Sequence, residues 1–283
     1  MQTLVLGTAN FGENYGLGNK SNLSKSQVDK ILVWSKSKIS ELDTSCDYKG
    51  SHSAISRHGI YFKITTKINL DLINNPREIR TIIRKISEEL QKDYIERILL
   101  RPHSKHSTFT LEAIEELEKL KSKGAIVDLG LSIYETRELE YFSSSVKEPI
   151  TFQVPLNLFN RSFQEHIESD PTRYKDFNFY VRSIFLQGLL LLKPCEIPNR
   201  LKEASELIAS LRDKLSGIGM TPLEATFMLV KSQNWVKGVI VGVRNLGELK
   251  RNYESFNMQG HTDLDFLRDL PNIPPRIADP RKW

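Results

Sequence analysis

The sequence predicts an α/β protein with the (β/α)8 barrel fold, and three observations lead to that prediction. Short β-rich runs alternate with helical segments from one end of the chain to the other. Eight such runs occur in 283 residues, which agrees with the eight strands and the usual size, about 250 residues, of this barrel. Several runs are apolar almost throughout, as expected for parallel strands covered on both faces. A doubly wound parallel sheet is the alternative that the same pattern allows.

The predicted strands are short and rich in apolar residues. They comprise residues 3–9, 39–45, 61–68, 95–102, 125–133, 150–157, 178–185 and 237–243. The predicted helices show apolar residues at positions i, i+3, i+4 and i+7. They are clearest at 76–91, 111–121 and 200–215. Pro76 stands where a helix begins and Gly124 just past the end of another, as backbone geometry favours.

The chain is predicted to form one domain over residues 1–283, because no linker, sequence repeat or low-complexity segment interrupts the alternation. The tail, 258–283, is richer in Pro and Asp than the rest. We expect this tail to run over the barrel surface, with one short helix near 263–270.

Composition places the chain among ordinary globular proteins, with 39% hydrophobic and 27% charged residues. No apolar run approaches the roughly 18 residues of a membrane span, and the N-terminus lacks the basic start and the length of a signal peptide. We therefore expect a cytoplasmic protein without a membrane partner. The net charge is +5, but Lys and Glu are mixed along segments such as 110–124. Such mixing is typical of a solvated helix face, so no nucleic-acid partner is predicted.

The cysteines and histidines show neither a disulfide framework nor the spacing of a metal site. Cys46 and Cys195 are far apart, and no base lies at a fixed spacing from Cys46. Apart from His103, the histidines are expected in loops or at the surface. They are His52, His58, His106, His166 and His261. No metal is therefore predicted.

Polar residues end most of the predicted strands, and in this barrel the active site lies at the carboxyl ends of the strands. Asp43, Tyr48 and Lys67 would meet there. An ammonium beside a tyrosine stabilises the phenolate, and a carboxylate holds the ammonium in place. Tyr48 could then act as a general acid near neutral pH. A buried ion pair beside a surface tyrosine is the alternative, and the spacing alone selects no reaction.

Eight short motifs spread over the whole chain carry a resemblance to a known family. They are LGTANFG (6–12), LDTSCDY (42–48), TTK (65–67), GLSIY (130–134), FQVPLN (152–157), VRSIFLQGLL (181–190), VGVRNLGELKRN (241–252) and ADPRKW (278–283). With these motifs the chain resembles the aldo-keto reductases, in particular short bacterial members found with sugar and surface-polysaccharide genes. The resemblance implies the (β/α)8 barrel and hydride transfer between a nicotinamide cofactor, usually NADPH, and a small carbonyl compound, without a metal.

The resemblance implies that Tyr48 is the general acid and that Lys67 and Asp43 tune it. The family has a histidine at the end of the fourth strand, where ILLRPHS places Arg101, with His103 two residues later. Three outcomes are compatible with this departure: His103 does the work of that histidine, Arg101 replaces it, or the protein has little activity. In the last case it would bind NADP(H) as a sensor or partner module.

Arg101 also bears on the substrate, because a guanidinium can pair bidentately with a carboxylate or phosphate. We therefore expect an anionic or sugar-derived carbonyl substrate. A structural bridge between Arg101 and Asp43 is the alternative.

By the same resemblance, the cofactor would run across the mouth of the barrel. The residues implied are Gly7 and Thr8 at the nicotinamide ribose, Ser132 and Gln153 at the carboxamide, Arg182 against the nicotinamide face, Ser183, Phe185, Leu186 and Gly188 along the pyrophosphate, and Gly242, Arg244, Glu248 and Asn252 at the adenosine end. Arg244 could hold a 2′-phosphate, whereas a carboxylate at Glu248 would more readily accept a ribose hydroxyl. NADP(H) is the predicted cofactor, and NAD(H) is the alternative.

Overall fold

The computed structural model describes residues 2–12, 17, 23–258, 270 and 275–283, and its strands form a closed parallel barrel. The strands are β1 (Thr3–Gly7), β2 (Glu41–Asp43), β3 (Lys63–Asn69), β4 (Ile95–Arg101), β5 (Ile126–Ser132), β6 (Thr151–Pro155), β7 (Asn178–Arg182) and β8 (Val236–Gly242). They neighbour one another in chain order, and β8 pairs with β1 to close the barrel. The predicted (β/α)8 barrel is confirmed, and the doubly wound sheet was the wrong alternative.

Helices surround the barrel. They are α1 (Lys25–Ser35), α2 (Ser51–Ser56), α3 (Ile79–Leu90), α4 (Ser107–Ser122), α5 (Thr136–Ser145), α6 (Ser162–Ser169), α7 (Pro171–Tyr174), α8 (Ala204–Gly217), α9 (Pro222–Lys231), α10 (Leu246–Asn257) and α11 (Pro275–Ala278). Short 3₁₀ turns include Pro76–Glu78, which leads into α3, and Leu186–Leu191 after β7. The helix predicted from Pro76 is therefore confirmed with a 3₁₀ first turn. Gly124 follows the end of α4 with φ of 75°, as its predicted position requires.

Side chains alternate between the inside of the barrel and the layer beneath the helices. On β2, Leu42 is fully buried outside the barrel wall, whereas Glu41 and Asp43 point inwards. Inside, towards the amino ends of the strands, the Arg97 guanidinium donates to Asp128 at 2.7 Å and to the Tyr180 hydroxyl at 3.1 Å. A charged, hydrogen-bonded layer thus fills the base of the barrel and leaves the carboxyl ends for the site.

Several strands end earlier than predicted, because the chain turns sharply where it reaches the mouth. After β7, Ser183 adopts φ of 58°, in the left-handed region, and this ends the strand at Arg182. His261 and the predicted helix near 263–270, apart from its last residue Leu270, lie outside the described residues. The last residues of the chain return to the mouth, where the Arg281 guanidinium lies 3.8 Å from the centroid of the Tyr134 ring.

Candidate active site

A cavity of about 1050 Å³ opens at the carboxyl ends of the strands. Nearly all of the predicted site residues line it: Gly7, Thr8, Asp43, Tyr48, Lys67, Arg101, Ser132, Gln153, Arg182, Ser183, Phe185, Gly188, Gly242, Arg244, Glu248 and Asn252. The structure does not place His103 or Leu186 on its walls. Leu186 is instead fully buried in the hydrophobic core, so Phe185 and Gln187 on either side of it face the cavity.

Asp43 and Lys67 form a buried ion pair at the floor of the cavity, where β2 ends and β3 continues beside it. The Lys67 ammonium donates to Asp43 Oδ1 at 2.5 Å, and the Gln153 amide donates to Asp43 Oδ2 at 2.7 Å. Each oxygen of the Asp43 carboxylate therefore accepts a side-chain hydrogen bond. Burial lowers the pKa of Lys67, and the nearby Arg182 guanidinium lowers it further, while Asp43 opposes both effects.

Tyr48 stands above this pair on the turn that follows β2. The backbone N–H of Tyr48 donates to the Ser45 carbonyl at 3.1 Å, and its own carbonyl accepts from the Ser51 N–H at 3.0 Å. These bonds fix the turn, and the Lys67 ammonium lies 5.9 Å from the centroid of the Tyr48 ring. The structure thus brings Asp43, Tyr48 and Lys67 together, as the sequence predicted.

Arg101 and His103 point to different places. Arg101 ends β4 at the cavity, with its side chain 40% exposed, and its guanidinium donates to Asp47 Oδ2 at 2.8 Å. The alternative bridge to Asp43 was wrong, because Arg101 pairs with Asp47, whereas Asp43 accepts from Lys67 and Gln153.

His103 is held in the loop that leads to α4. Its backbone N–H donates to the Thr110 hydroxyl at 3.0 Å, and its Nδ1 accepts from the Lys105 N–H at 3.1 Å. Its ring packs 5.2 Å from that of Phe109, centroid to centroid. The strand stops before Pro102, which has no N–H for the ladder, so His103 does not continue along the wall of the cavity.

The cavity wall also contains residues outside the predicted set, and two of them, Asp47 and Tyr134, form charged contacts with predicted site residues. Asp47, the partner of Arg101, immediately precedes Tyr48. Tyr134 follows β5, and the Arg182 guanidinium lies 3.9 Å from its ring centroid. Because Arg281 lies equally close, the two cations must occupy opposite faces of the ring. The GLSIY motif contained Tyr134, but nothing local in the sequence indicates its contact with a residue near the end of the chain.

The loop after β7 has an unusual backbone where it borders the cavity. Ser183, Leu186 and Gln187 have positive φ angles between 47° and 58°, and Gly188 has φ of 96°. Such conformations are costly for residues other than glycine and cluster at ligand sites. The Gln187 carbonyl accepts from the Leu17 N–H at 2.9 Å, so the loops after β1 and β7 meet beside the cavity.

The far end of the cavity lies where β8 leads into α10. Arg244 Nε donates to Glu248 Oε1 at 2.9 Å, and the Arg244 backbone N–H donates to Glu248 Oε2 at 2.8 Å. The Glu248 backbone N–H donates to the capping side chain of Asn245 at 2.8 Å. Arg251 and the buried Asn252 complete this end.

Within the described residues, no group of three or more His, Cys, Asp or Glu side chains could hold a metal ion. In the same part of the chain, no helix combines the length and the apolarity that crossing a bilayer requires.

Comparisons with known proteins agree with this geometry. A family model described as the aldo/keto reductase family matches residues 3–265. AKR11C1 from Bacillus halodurans, an aldo-keto reductase solved in its holo form, superposes with a TM-score of 0.79 over 98% of this chain and 95% of its own, at 16% identity. PA4992 from Pseudomonas aeruginosa, provisionally described as an aldo-keto reductase, gives a TM-score of 0.67 over 90% of this chain and 89% of its own, at 20% identity. Comparison with curated proteins yields no match. The chain belongs to the aldo/keto reductase family.

The cavity has the size and the polar groups to hold the nicotinamide nucleotide that this family uses. Its volume lies just above the usual range for small-molecule sites, about 300–1000 Å³. Ser132 and Gln153 line the same cavity as Tyr48 with hydroxyl and amide groups, and charged groups lie at the α10 end. The donor set therefore fits a dinucleotide that spans the mouth.

Proposed function

We propose that this protein reduces an aldehyde or ketone with NAD(P)H, using Tyr48 as the general acid. Family membership makes it an oxidoreductase that acts on carbonyl compounds. The observation that carries the residue-level proposal is the buried Asp43–Lys67 pair, whose ammonium lies 5.9 Å from the Tyr48 ring centroid.

The proposed reaction divides the work among a few side chains. When bound, the nicotinamide nucleotide supplies a hydride to the carbonyl carbon. The Tyr48 hydroxyl gives its proton to the carbonyl oxygen, so that hydride and proton together yield the alcohol. The Lys67 ammonium stabilises the phenolate that remains, and Asp43 holds that ammonium in position. The Gln153 amide fixes the other oxygen of Asp43.

We propose an anionic or sugar-derived carbonyl as the substrate. The Arg101 guanidinium reaches the cavity beside Tyr48 and is 40% exposed, which leaves room for a ligand to contact it. Its partner Asp47 adds an acceptor, so the pair could bind hydroxyl groups as well as an anion. The resemblance to bacterial members associated with sugar and polysaccharide genes supports the same choice.

NADP(H) is the cofactor that the resemblance favours, and NAD(H) is the alternative. Arg182 bears on the redox state that binds. Its guanidinium donates to the Ile133 carbonyl at 2.9 Å and has no carboxylate partner among the described residues. A permanent positive charge at the nicotinamide end would repel the oxidised, cationic ring, so the proposed direction is reduction.

A panel of carbonyl compounds tests this proposal through the loss of near-ultraviolet absorbance of NADPH and NADH. The panel contains neutral aldehydes, open-chain sugars and carbonyl compounds that bear a carboxylate or phosphate. We expect turnover, with the highest kcat/KM for sugar-derived or anionic members. The Arg101→His variant should lose at least about tenfold on the anionic members, since charge-assisted hydrogen bonds contribute about 1.5–3 kcal/mol.

Two outcomes would contradict parts of the proposal. Higher activity of Arg101→His on neutral aldehydes, with no loss on anionic compounds, would remove the role of Arg101 in substrate choice. Tight NADPH binding without turnover across the panel would instead favour the nucleotide-binding sensor or partner module, which the arginine at the family's histidine position motivates.

A further inference from the structure

At the adenosine end of the cavity, the charge of Arg244 is already paired with the carboxylate of Glu248. Glu248 Oε1 accepts from Arg244 Nε at 2.9 Å and lies 2.7 Å from Nη2, so the carboxylate covers one edge of the guanidinium. The Glu248 side chain is only 19% exposed, compared with 43% for Arg244. Because its second oxygen also accepts from the Arg244 N–H, Glu248 is fixed in this place.

The two nicotinamide nucleotides would meet this pair differently. The 2′-phosphate of NADP(H) carries nearly two negative charges, and beside Glu248 it would face a half-buried carboxylate. To bind Arg244 it would have to displace that carboxylate. The 2′-hydroxyl of NAD(H) instead donates a hydrogen bond, which an ionised carboxylate can accept.

Arg251 is a second cation at this end that could bind a 2′-phosphate in place of Arg244. It is exposed, lines the same cavity and has no ion pair with any described residue. Its guanidinium lies close to Gly247, since a Cβ built there would be 3.5 Å from Arg251 Nη1. An experiment on nucleotide choice must therefore separate Arg251 from the Arg244–Glu248 pair.

We infer that Glu248, in its ion pair with Arg244, is a specificity-determining residue that makes the site prefer NAD(H) to NADP(H). The inference rests on the proposed function, since it presupposes that the cavity binds a nicotinamide nucleotide. It departs from the cofactor that the family resemblance favours, and the Arg244–Glu248 ion pair is its reason.

The test is direct binding of NADH and NADPH to the protein without substrate, followed by the fluorescence of the bound nucleotide. We expect the wild-type protein to bind NADH at least about tenfold more tightly, because a like charge at the site is costly. Glu248→Gln keeps the size and an acceptor oxygen but frees Arg244. This variant should lower the dissociation constant of NADPH by about tenfold and change that of NADH by less than about threefold.

The control is Glu254→Gln, which removes the same charge from an exposed position of α10 outside the cavity. It should change neither dissociation constant. In the double variant Arg244→Gln/Glu248→Gln, the gain for NADPH should disappear, since the cation that causes it is gone. Arg244→Gln alone should weaken the binding of NADPH further and leave the binding of NADH unchanged. This variant leaves Glu248 in place, so it tests the inference even if the fold does not tolerate a change at Glu248.

Several results would overturn the inference. The inference is wrong if the wild-type protein binds NADPH as tightly as NADH. If Arg251→Gln then lost the affinity for NADPH, the 2′-phosphate would be bound by Arg251. An equal gain for both nucleotides in Glu248→Gln would show that the carboxylate does not discriminate. If the wild-type protein bound neither nucleotide, both the proposed function and the inference would be wrong. The other results contradict the inference alone and are compatible with the proposed function.

Discussion

Replacing Asp43 with Asn removes the counter-ion of Lys67 while keeping the size of the side chain. The two side chains are 6% and 7% exposed, so the ammonium would remain buried without a partner. Breaking a buried ion pair by removing one member costs about 3–5 kcal/mol. For a domain of this size, each kcal/mol corresponds to about 2–4 °C in Tm, so we expect Tm to fall by about 6–20 °C.

The measurement is thermal unfolding followed by circular dichroism, with Glu88→Gln as the control. Glu88 forms an ion pair with Arg84 in which the side chains are 70% and 78% exposed, and losing such a pair costs at most about 1 kcal/mol. Replacing both partners, in Asp43→Asn/Lys67→Met, should recover part of the loss, since no charge is then buried.

The pH dependence has a defined sign. The pKa of Lys67 is lowered in the folded protein, so the unfolded chain binds more protons between the folded and the ordinary pKa. Stability should therefore rise with pH between the folded and the ordinary pKa of Lys67, and in Asp43→Asn, which lacks the opposing carboxylate, this rise should begin at a lower pH. The reasoning is refuted if Asp43→Asn costs no more than Glu88→Gln.

Two further predictions concern packing and reactivity. Gly130→Ala should lower the free energy of unfolding in urea by about 1–3 kcal/mol or more, as in an overpacked core, because a Cβ there would lie 1.8 Å from the Thr151 carbonyl oxygen. The control is Gly217→Ala, whose Cβ would meet nothing within 4 Å. Equal stability of the two variants would contradict the close packing at Gly130. Partial burial, reinforced by neighbouring carboxylates, raises the pKa of the Cys46 thiol to about 11. In a Cys195→Ser background, iodoacetamide should therefore react at pH 8 about two-hundredfold more slowly than with an ordinary thiol of pKa about 8.5. The rate should rise about tenfold per pH unit up to pH 10, and a rate that levels off near pH 9 would disprove the raised pKa.

The barrel and most of the cavity wall could be predicted from the sequence, because both follow from local patterns. Apolar runs mark the strands, and the residue that ends each parallel strand necessarily lies at the same mouth. Asp43, Lys67 and Gln153 came together for this reason. The motif resemblance then supplied a chemical role for Tyr48 that spacing alone does not give.

The contacts that could not be predicted join residues far apart in the chain. Arg281 reaches Tyr134 from near the C-terminus, and neither residue carries a local signal of that contact. His52 was expected in a loop or at the surface, but it is 6% exposed. It lies on α2, where its ring is hydrogen-bonded to Glu89 at 2.8 Å and to Thr66 at 3.0 Å. The sequence around His52 does not indicate either of these two partners.

The partner of Arg101 was beyond prediction for a related reason. Spacing brings both Asp43 and Asp47 near the end of β4, and only the structure shows that Lys67 and Gln153 have already occupied Asp43. The partner of Arg101 therefore depends on side chains from several strands, which the local sequence does not reveal.

The most direct test of the proposed chemistry is a single-turnover measurement on Tyr48→Phe. The protein is loaded with NADH or NADPH and mixed with the best substrate of the carbonyl panel, and oxidation of the bound nucleotide is followed by its absorbance. Because only the hydroxyl is removed, we expect the nucleotide dissociation constant to stay within about twofold, while the hydride-transfer rate falls by about 10²–10⁴. An unchanged rate in Tyr48→Phe would contradict the assignment of Tyr48 as the proton donor.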